Sequence, residues 1–362
     1  MKNICFIVYD FSIFGGVEKV TSQLSESLLQ NNCVHIISLC SKGEKTAYPL
    51  DDSISYSAVM EGTPRIRTLI TGCFGFLKQY LTKHKIDIVF LMGNYPVPVG
   101  LAVKPFVPSK FVFCDHGALM NEYQKKDITM FRKYAAKFCD KVITLTQKNL
   151  IDYQKMFHIK NSKIDYIYNF IDDNLLTRSS DSYDQNSKHI VTAGRFTKEK
   201  GFNMMVDVAE MVFKKHPDWT WDVYGDGEEF SIIKEKIKDK NLENNLILKG
   251  ATDHLYEQYK NYAMYVLPSY REGLPLVLLE AKANRLPIVA FDVTTGPREI
   301  VQDNQDGFLI PCYDKVLMAQ KICDLIENQT LRVQFSENSQ NNLSLFQKDE
   351  IINKWVALIA SL

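Results

Sequence analysis

Short apolar runs alternate with segments of helical periodicity along the whole chain, and this alternation starts a second time near residue 189. In the first half the apolar runs lie at 4–9, 34–39, 86–92, 110–115 and 141–145, and helical segments lie at 17–30, 65–83, 127–139 and 147–156. In the second half the apolar runs lie near 189–194, 219–224, 246–249, 264–267, 287–291 and 308–310. Such alternation is typical of parallel sheets with helices on both faces. The predicted fold class is therefore α/β, with two doubly wound parallel sheets.

A polar stretch separates the two halves of the pattern. Residues 172–188 have little apolar content and predict a linker. A chain of 362 residues is too long for one typical core, so we expect an N-terminal domain at 1–171 and a second domain at 189–345. The remaining residues, 346–362, predict a last amphipathic helix, because apolar side chains recur there at helical spacing.

The composition is that of a soluble globular protein, with 46% hydrophobic and 24% charged residues. No apolar run reaches the 18 or more residues of a membrane-spanning helix. The N-terminal apolar run is too short for a secretory signal, and Asp10 follows it too early. The eight cysteines form no CxxC and no metal-binding spacing, which is typical of reduced thiols in a cytosolic protein. We therefore expect a cytoplasmic protein.

The net charge of zero conceals an asymmetry. Residues 1–170 carry 21 Lys and Arg against 14 Asp and Glu, which leaves +7, and the remainder carries −7. The first half contains two basic stretches. Residues 63–85 include no acidic residue. Residues 125–141 carry apolar side chains at helical spacing, at Met130, Phe131, Tyr134, Ala135 and Phe138. Basic amphipathic helices can lie on anionic membranes. The alternative is two ordinary surface helices whose apolar stripes face the domain core.

Two glutamates stand eight positions apart in SYREGLPLVLLEA, residues 269–281. Pro275 suits a first helical position, where no backbone N–H donor is needed, and 275–283 is typical of a short apolar helix. Glu272 would lie in the loop before this helix, and Glu280 about a turn and a half into it. Because free N–H groups at a helix start suit phosphate or sugar oxygens, both glutamates can face one ligand. The alternative is two solvated side chains beside a buried helix.

Arg195 and Lys200 lie in GRFTKEKG, directly after the apolar run HIVTA and before a helical segment. This turn is at the carboxyl end of a predicted strand, the edge where open α/β sheets bind ligands. Arg offers a planar fork to phosphate oxygens and Lys offers a compact charge, so the pair suits a diphosphate. The alternative is a solvated turn in which Glu199 pairs with one of the cations.

Gly15 and Gly16 follow the first apolar run and precede a helical segment that begins near Val17. Adjacent glycines let the backbone pass close to a ligand, and the helix start presents N–H groups to it. A tight turn without a ligand is the alternative explanation.

These three elements, in this order and spacing, resemble the retaining glycosyltransferases of family four, which have the GT-B fold. The resemblance runs from Gly15 to about Gly307. It implies two Rossmann-like domains that face each other across a cleft, with the C-terminal helix packed back on the N-terminal domain. It also implies a nucleotide-sugar donor, bound mainly by the C-terminal domain.

The resemblance gives each candidate residue a role. Arg195 and Lys200 would stabilise the leaving diphosphate, Glu280 would accept hydrogen bonds from the ribose, and Glu272 would hold hydroxyls of the transferred sugar. Backbone N–H groups would make further donor contacts, at Gly15, Gly16, Gly273 and Leu274. His116, which follows a strand in FVFCDHG, would make the last one. A lone histidine in such a position is otherwise structural.

No metal or other cofactor is expected. The sequence contains no Asp-x-Asp, the motif with which glycosyltransferases of the other main fold hold a divalent ion on the donor, and Arg195 and Lys200 would neutralise the phosphates instead. The Gly225-Asp226-Gly227 turn lacks the third glycine of a dinucleotide site, because Phe230 stands at that position.

The predicted function is transfer of a sugar from a nucleotide-sugar donor, more specifically a UDP-sugar, to a saccharide acceptor. The anomeric configuration of the sugar would be retained. The resemblance places TTGPREI (294–300) beside the donor sugar, which favours galactose or N-acetylgalactosamine. A lipid-linked acceptor would suit synthesis of a bacterial surface polysaccharide, on the inner face of the plasma membrane. The alternatives are a GT-B protein that binds or epimerises a nucleotide sugar without transfer, and a non-enzymatic membrane-surface protein. No nucleic-acid partner is expected.

Overall fold

Buried strands from the two halves of the chain form two separate parallel sheets. The computed structural model describes residues 1–43, 45–171, 183–252 and 254–362. The chain divides into two units, one formed by Met1–Asn169 with Asp349–Leu362 and the other by Phe170–Lys348. The predicted linker, 172–188, lies mostly outside the described residues.

Seven strands form the sheet of the first unit: β1 (Lys2–Asp10), β2 (Asn32–Ser41), β3 (Ser55–Glu61), β4 (Ile88–Met92), β5 (Lys110–Asp115), β6 (Lys141–Thr144) and β7 (Ile164–Tyr166). All pairings are parallel, in the order β3-β2-β1-β4-β5-β6-β7. The side chains from Ile4 to Val8 in β1 have no exposed surface, as expected of a strand covered on both faces. Because the strand order reverses between β1 and β4, the loops after these two strands are neighbours at the carboxyl edge.

The helices of this unit follow the strands in alternation: α1 (Gly16–Leu28), α2 (Ile66–Lys83), α3 (Pro96–Val103), α4 (Leu119–Glu122), α5 (Lys126–Phe138) and α6 (Gln147–Phe157). On α2 the buried residues recur every four positions, at Leu69, Cys73, Leu77 and Leu81. Its apolar stripe therefore faces the domain core, which is the second of the two interpretations of the stretch 63–85.

The apolar residues of α5 do not form one stripe. Phe131 and Ala135 are buried in the core, whereas Met130, Tyr134 and Phe138 are 43%, 44% and 50% exposed. The expectation that all of them face the core is therefore wrong for this second set. The three exposed side chains are spaced by four residues, so they form a ridge along the solvent face of the helix.

The second unit repeats the design with six strands: β8 (His189–Ala193), β9 (Thr220–Tyr224), β10 (Leu246–Gly250), β11 (Met264–Leu267), β12 (Ile288–Phe291) and β13 (Gly307–Ile310). They pair in parallel in the order β10-β9-β8-β11-β12-β13. The accompanying helices are α7 (Phe202–Lys215), α8 (Phe230–Asp239), α9 (Leu255–Gln258), α10 (Leu276–Ala283), α11 (Pro297–Ile300), α12 (Lys315–Glu327) and α13 (Gln329–Asn338). Trp221, Met205 and Phe213 are among the buried residues of its core.

The last helix, α14 (Lys348–Ser361), belongs to the first unit, apart from its first residue. The Trp355 ring packs edge-on against Phe90 of β4, with 5.6 Å between ring centroids. Lys2 Nζ donates to the carbonyl oxygen of Ile359 at 2.7 Å. The two ends of the chain therefore meet on the first sheet. Across the described residues, no helix has both the length and the apolar character that crossing a membrane requires.

Candidate functional site

The second sheet has its switch point between β8 and β11, which are neighbours in space although β9 and β10 lie between them in sequence. The loops that leave these two strands, 194–201 and 268–275, are therefore adjacent at the carboxyl edge of the sheet. Doubly wound folds bind their ligands at such a point. Both loops carry residues that the sequence singled out.

Backbone contacts hold these two loops together. Gly201 has a φ of +68°, and a Cβ at this position would lie 2.0 Å from the carbonyl oxygen of Pro268. Only glycine fits so close an approach in this left-handed conformation. In addition, the N–H of Tyr270 donates to the carbonyl oxygen of Glu199 at 2.8 Å. The side chains on the two loops are therefore presented in a fixed relation.

Lys200 and Glu272 form an ion pair across the loops. Lys200 Nζ donates to Glu272 Oε1 at 2.8 Å and to Oε2 at 3.0 Å. The Glu272 side chain is only 6% exposed, and that of Lys200 is 29% exposed. A carboxylate this deeply buried needs a partner, because leaving it unpaired costs several kcal/mol. Lys200 provides that compensation.

Arg195 lies on the first of these loops and is exposed. Hydrogen bonds fix the backbone on either side of it: the N–H of Gly194 donates to Tyr224 O at 3.0 Å, and the N–H of Phe196 donates to Asp226 O at 2.9 Å. The turn that contains Asp226 therefore supports the loop that carries Arg195.

Glu280 lies on α10 and faces two tyrosines. Its Oε1 accepts from the Tyr256 hydroxyl at 3.2 Å, and its Oε2 accepts from the Tyr259 hydroxyl at 3.0 Å. Burial, together with the Glu280 charge, raises the pKa of Tyr259 well above its usual value, so this hydroxyl keeps its proton and remains a donor. One detail of the prediction is wrong. Pro275 caps the helix with a ψ of 104°, and Leu276 is the first helical residue, because the chain is still extended where it leaves the loop.

The segment 294–300 packs on the backbone that connects Glu272 to α10. The Thr295 hydroxyl donates to the carbonyl oxygen of Glu272 at 2.6 Å. A Cβ on Gly296 would lie 2.6 Å from the carbonyl oxygen of Gly273. Leu274, the next residue, is 5% exposed. The backbone of residues 272–274 is therefore packed against the segment 294–300.

In the first unit, Gly15 caps α1 and Gly16 is its first residue, at the carboxyl end of β1. Gly15 has a φ of −157°, which any residue can adopt, and Gly16 does not have a positive φ either. Neither glycine is therefore required by a left-handed backbone, but a Cβ on Gly15 would lie 2.3 Å from Glu18 Oε2. A Cβ on Gly16 would meet no atom within 4 Å, so the space beside it is open.

His116 follows β5 and is half-buried. Burial lowers its pKa to about 4, so the ring is neutral at physiological pH. The ring Nε2 is inaccessible and has no hydrogen-bond partner among the described residues.

The candidate residues fall into two groups. Gly15, Gly16 and His116 belong to the first unit, and the six others, from Arg195 to Glu280, belong to the second. Within the second unit, the structure pairs Lys200 with Glu272 and sets Glu280 on the helix that follows. In the part of the chain that the structure describes, no three His, Cys, Asp or Glu side chains are grouped as metal ligands.

Comparison with known families covers both units. Residues 14–175 match the family described as Glycosyltransferase Family 4, and residues 176–342 match the one described as Glycosyl transferases group 1. Together the two matches cover every strand of both sheets except β1, and they include the whole candidate site. The chain belongs to the family-four glycosyltransferases.

Curated relatives of this glycosyltransferase include the amylovoran biosynthesis glycosyltransferase AmsD of Erwinia amylovora. It is 29% identical over 359 residues, which cover 98% of this chain and 99% of AmsD. The poly(ribitol-phosphate) alpha-N-acetylglucosaminyltransferase of Staphylococcus aureus is 31% identical over 221 residues, 61% of this chain and 44% of the relative.

Solved structures show that the glycosyltransferase has the GT-B fold. S. aureus TarM, in a crystal structure with UDP and alpha-GlcNAc-glycerol, aligns over 99% of both chains with a TM-score of 0.83 and 18% identity. Anabaena HepE in complex with UDP-glucose aligns over 100% of both chains, also with a TM-score of 0.83 and 18% identity.

Sequence reasoning missed a buried polar network beneath His116 in this glycosyltransferase. Asp115 has no exposed side-chain surface. Its carboxylate accepts from Arg132 Nε at 2.9 Å and Nη2 at 3.0 Å, from the Tyr153 hydroxyl at 2.8 Å and from the N–H of Gly117 at 3.1 Å. The Arg132 guanidinium and the two uncharged donors hold the pKa of Asp115 below its usual value against the opposing effect of burial.

The same network fixes the loop after β5. Asn149 Oδ1 accepts from the N–H of Leu119 at 2.9 Å, and Asn149 Nδ2 donates to the carbonyl oxygen of Gly117 at 3.2 Å. Arg132 lies in the basic stretch 125–141, for which the sequence suggested a membrane-surface helix or an ordinary surface helix and no buried cation. Its helical position, beside the buried Phe131, was the available signal, since it places the guanidinium at the border of the apolar face.

Proposed function

We propose that this protein is a retaining, metal-independent hexosyltransferase that moves a sugar from a UDP-linked donor to a saccharide acceptor in the synthesis of a bacterial surface polysaccharide. The observation that carries the proposal is the cluster at the switch point of the second sheet. Two cations, Arg195 and Lys200, lie on one loop there, and Glu272 and Glu280 lie on the neighbouring loop and helix. Cations suit the diphosphate and carboxylates suit the hydroxyls of a nucleotide sugar.

Each residue has a part in this mechanism. Arg195 and Lys200 stabilise the negative charge that grows on the leaving diphosphate, which is the kind of interaction that accelerates group transfer most. Glu280 accepts hydrogen bonds from the ribose. Glu272, with the N–H groups of Gly273 and Leu274, holds hydroxyls of the transferred sugar.

The candidates in the first unit keep the roles that the family resemblance implies, and these remain predictions. N–H groups near Gly15 and Gly16 would contact the donor phosphates, and the open space beside Gly16 leaves room for such an approach. His116 would contact a hydroxyl of the transferred sugar.

The most specific part of the proposal is the identity of the donor sugar. The segment 294–300 favours galactose or N-acetylgalactosamine, and its contacts with Glu272 and Gly273 give it a means to influence the sugar pocket. Related proteins add glucose and N-acetylglucosamine to the candidate donor sugars. The S. aureus relative is named as an N-acetylglucosaminyltransferase, and HepE was crystallised with UDP-glucose. AmsD, named for amylovoran biosynthesis, supports a polysaccharide product.

Thermal unfolding with a panel of nucleotide sugars tests the proposal, because a ligand that binds the native state raises its stability. We expect one UDP-sugar among the galactose, glucose and N-acetylhexosamine forms to stabilise the protein most, and to be consumed when a saccharide acceptor is added. Stabilisation with no transfer to any acceptor would favour the binding or epimerase alternative. No stabilisation by any nucleotide sugar would contradict the proposal.

We also propose that the acceptor is lipid-linked and that the first unit binds an anionic membrane surface. The support is the exposed ridge on α5, where Met130, Tyr134 and Phe138 lie next to the exposed cations Lys133 and Lys137. Aromatic side chains flanked by lysines suit the interface of an anionic bilayer. The same ridge would serve the non-enzymatic membrane-surface alternative, but that alternative gives no reason for the cluster in the second unit.

Co-sedimentation with phosphatidylglycerol vesicles tests this part. We expect binding at low salt that is lost at high salt, since each cation near such a surface contributes about 1 kcal/mol and salt screens it. Lys133→Gln with Lys137→Gln should weaken the binding. Lys214→Gln with Lys215→Gln, an exposed pair on α7 of the other unit, is the matched control and should not. Equal binding by both variants would remove the ridge from the proposal.

A further inference from the structure

The Lys200–Glu272 ion pair joins the two loops at the switch point of the second sheet. Both carboxylate oxygens of Glu272 accept from Lys200 Nζ, at 2.8 and 3.0 Å. The pair is also set by the backbone, because the loop contacts at Gly201 and Tyr270 and the Thr295 hydroxyl on the Glu272 carbonyl fix both ends. Its geometry is therefore a property of the fold rather than of two mobile surface side chains.

A nucleoside diphosphate and a nucleotide sugar differ in which residues of this pair they can bind. The diphosphate attracts the Lys200 ammonium, but a ligand that draws Lys200 away breaks the ion pair of a carboxylate that is only 6% exposed. That cost is large for a buried charge. Sugar hydroxyls can donate hydrogen bonds to Glu272 and compensate it. Only a ligand that carries both groups can therefore replace the ion pair at both of its ends.

We infer that the Lys200–Glu272 pair makes the site discriminate between the intact nucleotide sugar and the nucleoside diphosphate that remains after transfer. The inference rests on the proposed function and goes beyond it, since it assigns a selective role to the contact between the two residues. Before the reaction, sugar hydroxyls satisfy Glu272 while phosphate oxygens bind Lys200. After the sugar has left, Glu272 pairs with Lys200 again, and the affinity of the site for the nucleoside diphosphate falls.

Glu272→Gln tests the inference, because an amide keeps the shape and can still accept one hydrogen bond from Lys200 but has no charge to compete for it. Calorimetry would measure the Kd of UDP and, without acceptor, the Kd of UDP-galactose, UDP-glucose, UDP-N-acetylgalactosamine and UDP-N-acetylglucosamine. We expect Glu272→Gln to bind UDP about fivefold or more tightly than the parent protein, as when a partly buried ion pair stops competing. Binding of the UDP-sugar should stay level or weaken, so the preference for the sugar form falls.

Glu199→Gln is the matched control. Glu199 precedes Lys200 on the same turn, its side chain is exposed, and its removal changes the net charge by the same amount. It should shift UDP and UDP-sugar affinities by the same small factor. The inference is overturned if Glu272→Gln shifts both affinities equally, or if Glu199→Gln reproduces its effect. If the parent protein binds neither UDP nor any UDP-sugar, the proposed function itself fails, and this outcome is distinct from the first two.

Discussion

At the scale of single residues, the two glutamates of the candidate site have different surroundings. Glu272 faces a cation, whereas Glu280 faces two tyrosine hydroxyls. A carboxylate accepts several hydrogen bonds at once, which suits Glu280 to the hydroxyls of a ligand. The two carboxylates are therefore suited to different parts of one donor.

Glu280→Gln should raise the Kd of UDP, because an amide is a weaker acceptor for ribose hydroxyls than a carboxylate. The expected increase is about 10-fold to 150-fold, the range for hydrogen bonds to a charged group. The same variant should bind the 2′,3′-dideoxy analogue of UDP as well as the parent protein does, because that analogue has no ribose hydroxyls to lose. Calorimetry with both ligands measures the difference. An equal loss for the two ligands would place Glu280 away from the ribose.

Lys200→Ala and Arg195→Ala should each lower transfer by about 10²- to 10³-fold, the usual consequence of removing one group that stabilises developing charge. Lys198→Ala is the control, because Lys198 is exposed on the same turn. Initial rates at saturating donor, with thermal unfolding to check the fold, measure the effect. Near-normal turnover in either variant would show that its cation does not contact the diphosphate.

The sequence indicates candidate residues for the site, but it does not indicate which residues contact them. Lys200 and Glu272 are 72 positions apart, and local spacing contains no information about a contact between them. The strand order that brings their loops together depends on which strands pair, which is a property of the whole sheet. For the same reason the tyrosines that face Glu280 were not predicted.

At the scale of elements, the loop after β5 is held by side chains from α5 and α6. Four buried side chains bind the backbone of Gly117 or one another within the core, namely Asp115, Arg132, Asn149 and Tyr153. Buried networks of this kind are costly to disrupt, because each polar group that loses its partner stays out of water. The loop that carries His116 is thus part of the core framework.

Tyr153→Phe removes one donor from Asp115 and keeps the ring in place. We expect the free energy of unfolding to fall by about 1.5–3 kcal/mol, the range for hydrogen bonds to charged groups. If His116 contacts the donor sugar, kcat should fall severalfold while the donor KM changes little. Tyr80→Phe, which removes a 3.0 Å contact with His35 elsewhere in the first unit, is the control. An equal kcat loss in both variants would make the Tyr153 effect one of stability alone.

Most strands with a continuous apolar run, and the helices with clear periodicity, were predicted from sequence, whereas elements with a weak or mixed local signal were missed. In β3 most residues are half-buried or exposed, and its sequence SYSAVME has no clear period. The helix α3 reads PVPVGLAV, whose prolines and glycine argue against a helix, yet Pro96 is its first residue, where proline is tolerated. The strand β7 has only three residues. In each case tertiary contacts outweighed the local signal.

At the scale of the whole molecule, the absence of an Asp-x-Asp motif and the two cations of the site lead to a prediction about metals. Transfer should proceed at an unchanged rate in excess EDTA, because Arg195 and Lys200 supply the positive charge that a divalent ion would otherwise supply. Initial rates with and without chelator measure this, and added Mg²⁺ or Mn²⁺ serves as the control. Loss of activity in EDTA that either ion restores would contradict the assignment.

The position of α14 affects how the chain folds while it is being made. Trp355 covers Phe90 of the first sheet, and Lys2 is bonded to Ile359, so the first unit contains both the earliest and the latest residues. At 5–20 residues per second, roughly 10–40 s pass between synthesis of residue 169 and synthesis of the helix that completes its unit. During that interval the residues of the second unit are synthesised, while the face of β4 beneath Trp355 is open. The part of the protein that is made first is therefore completed last.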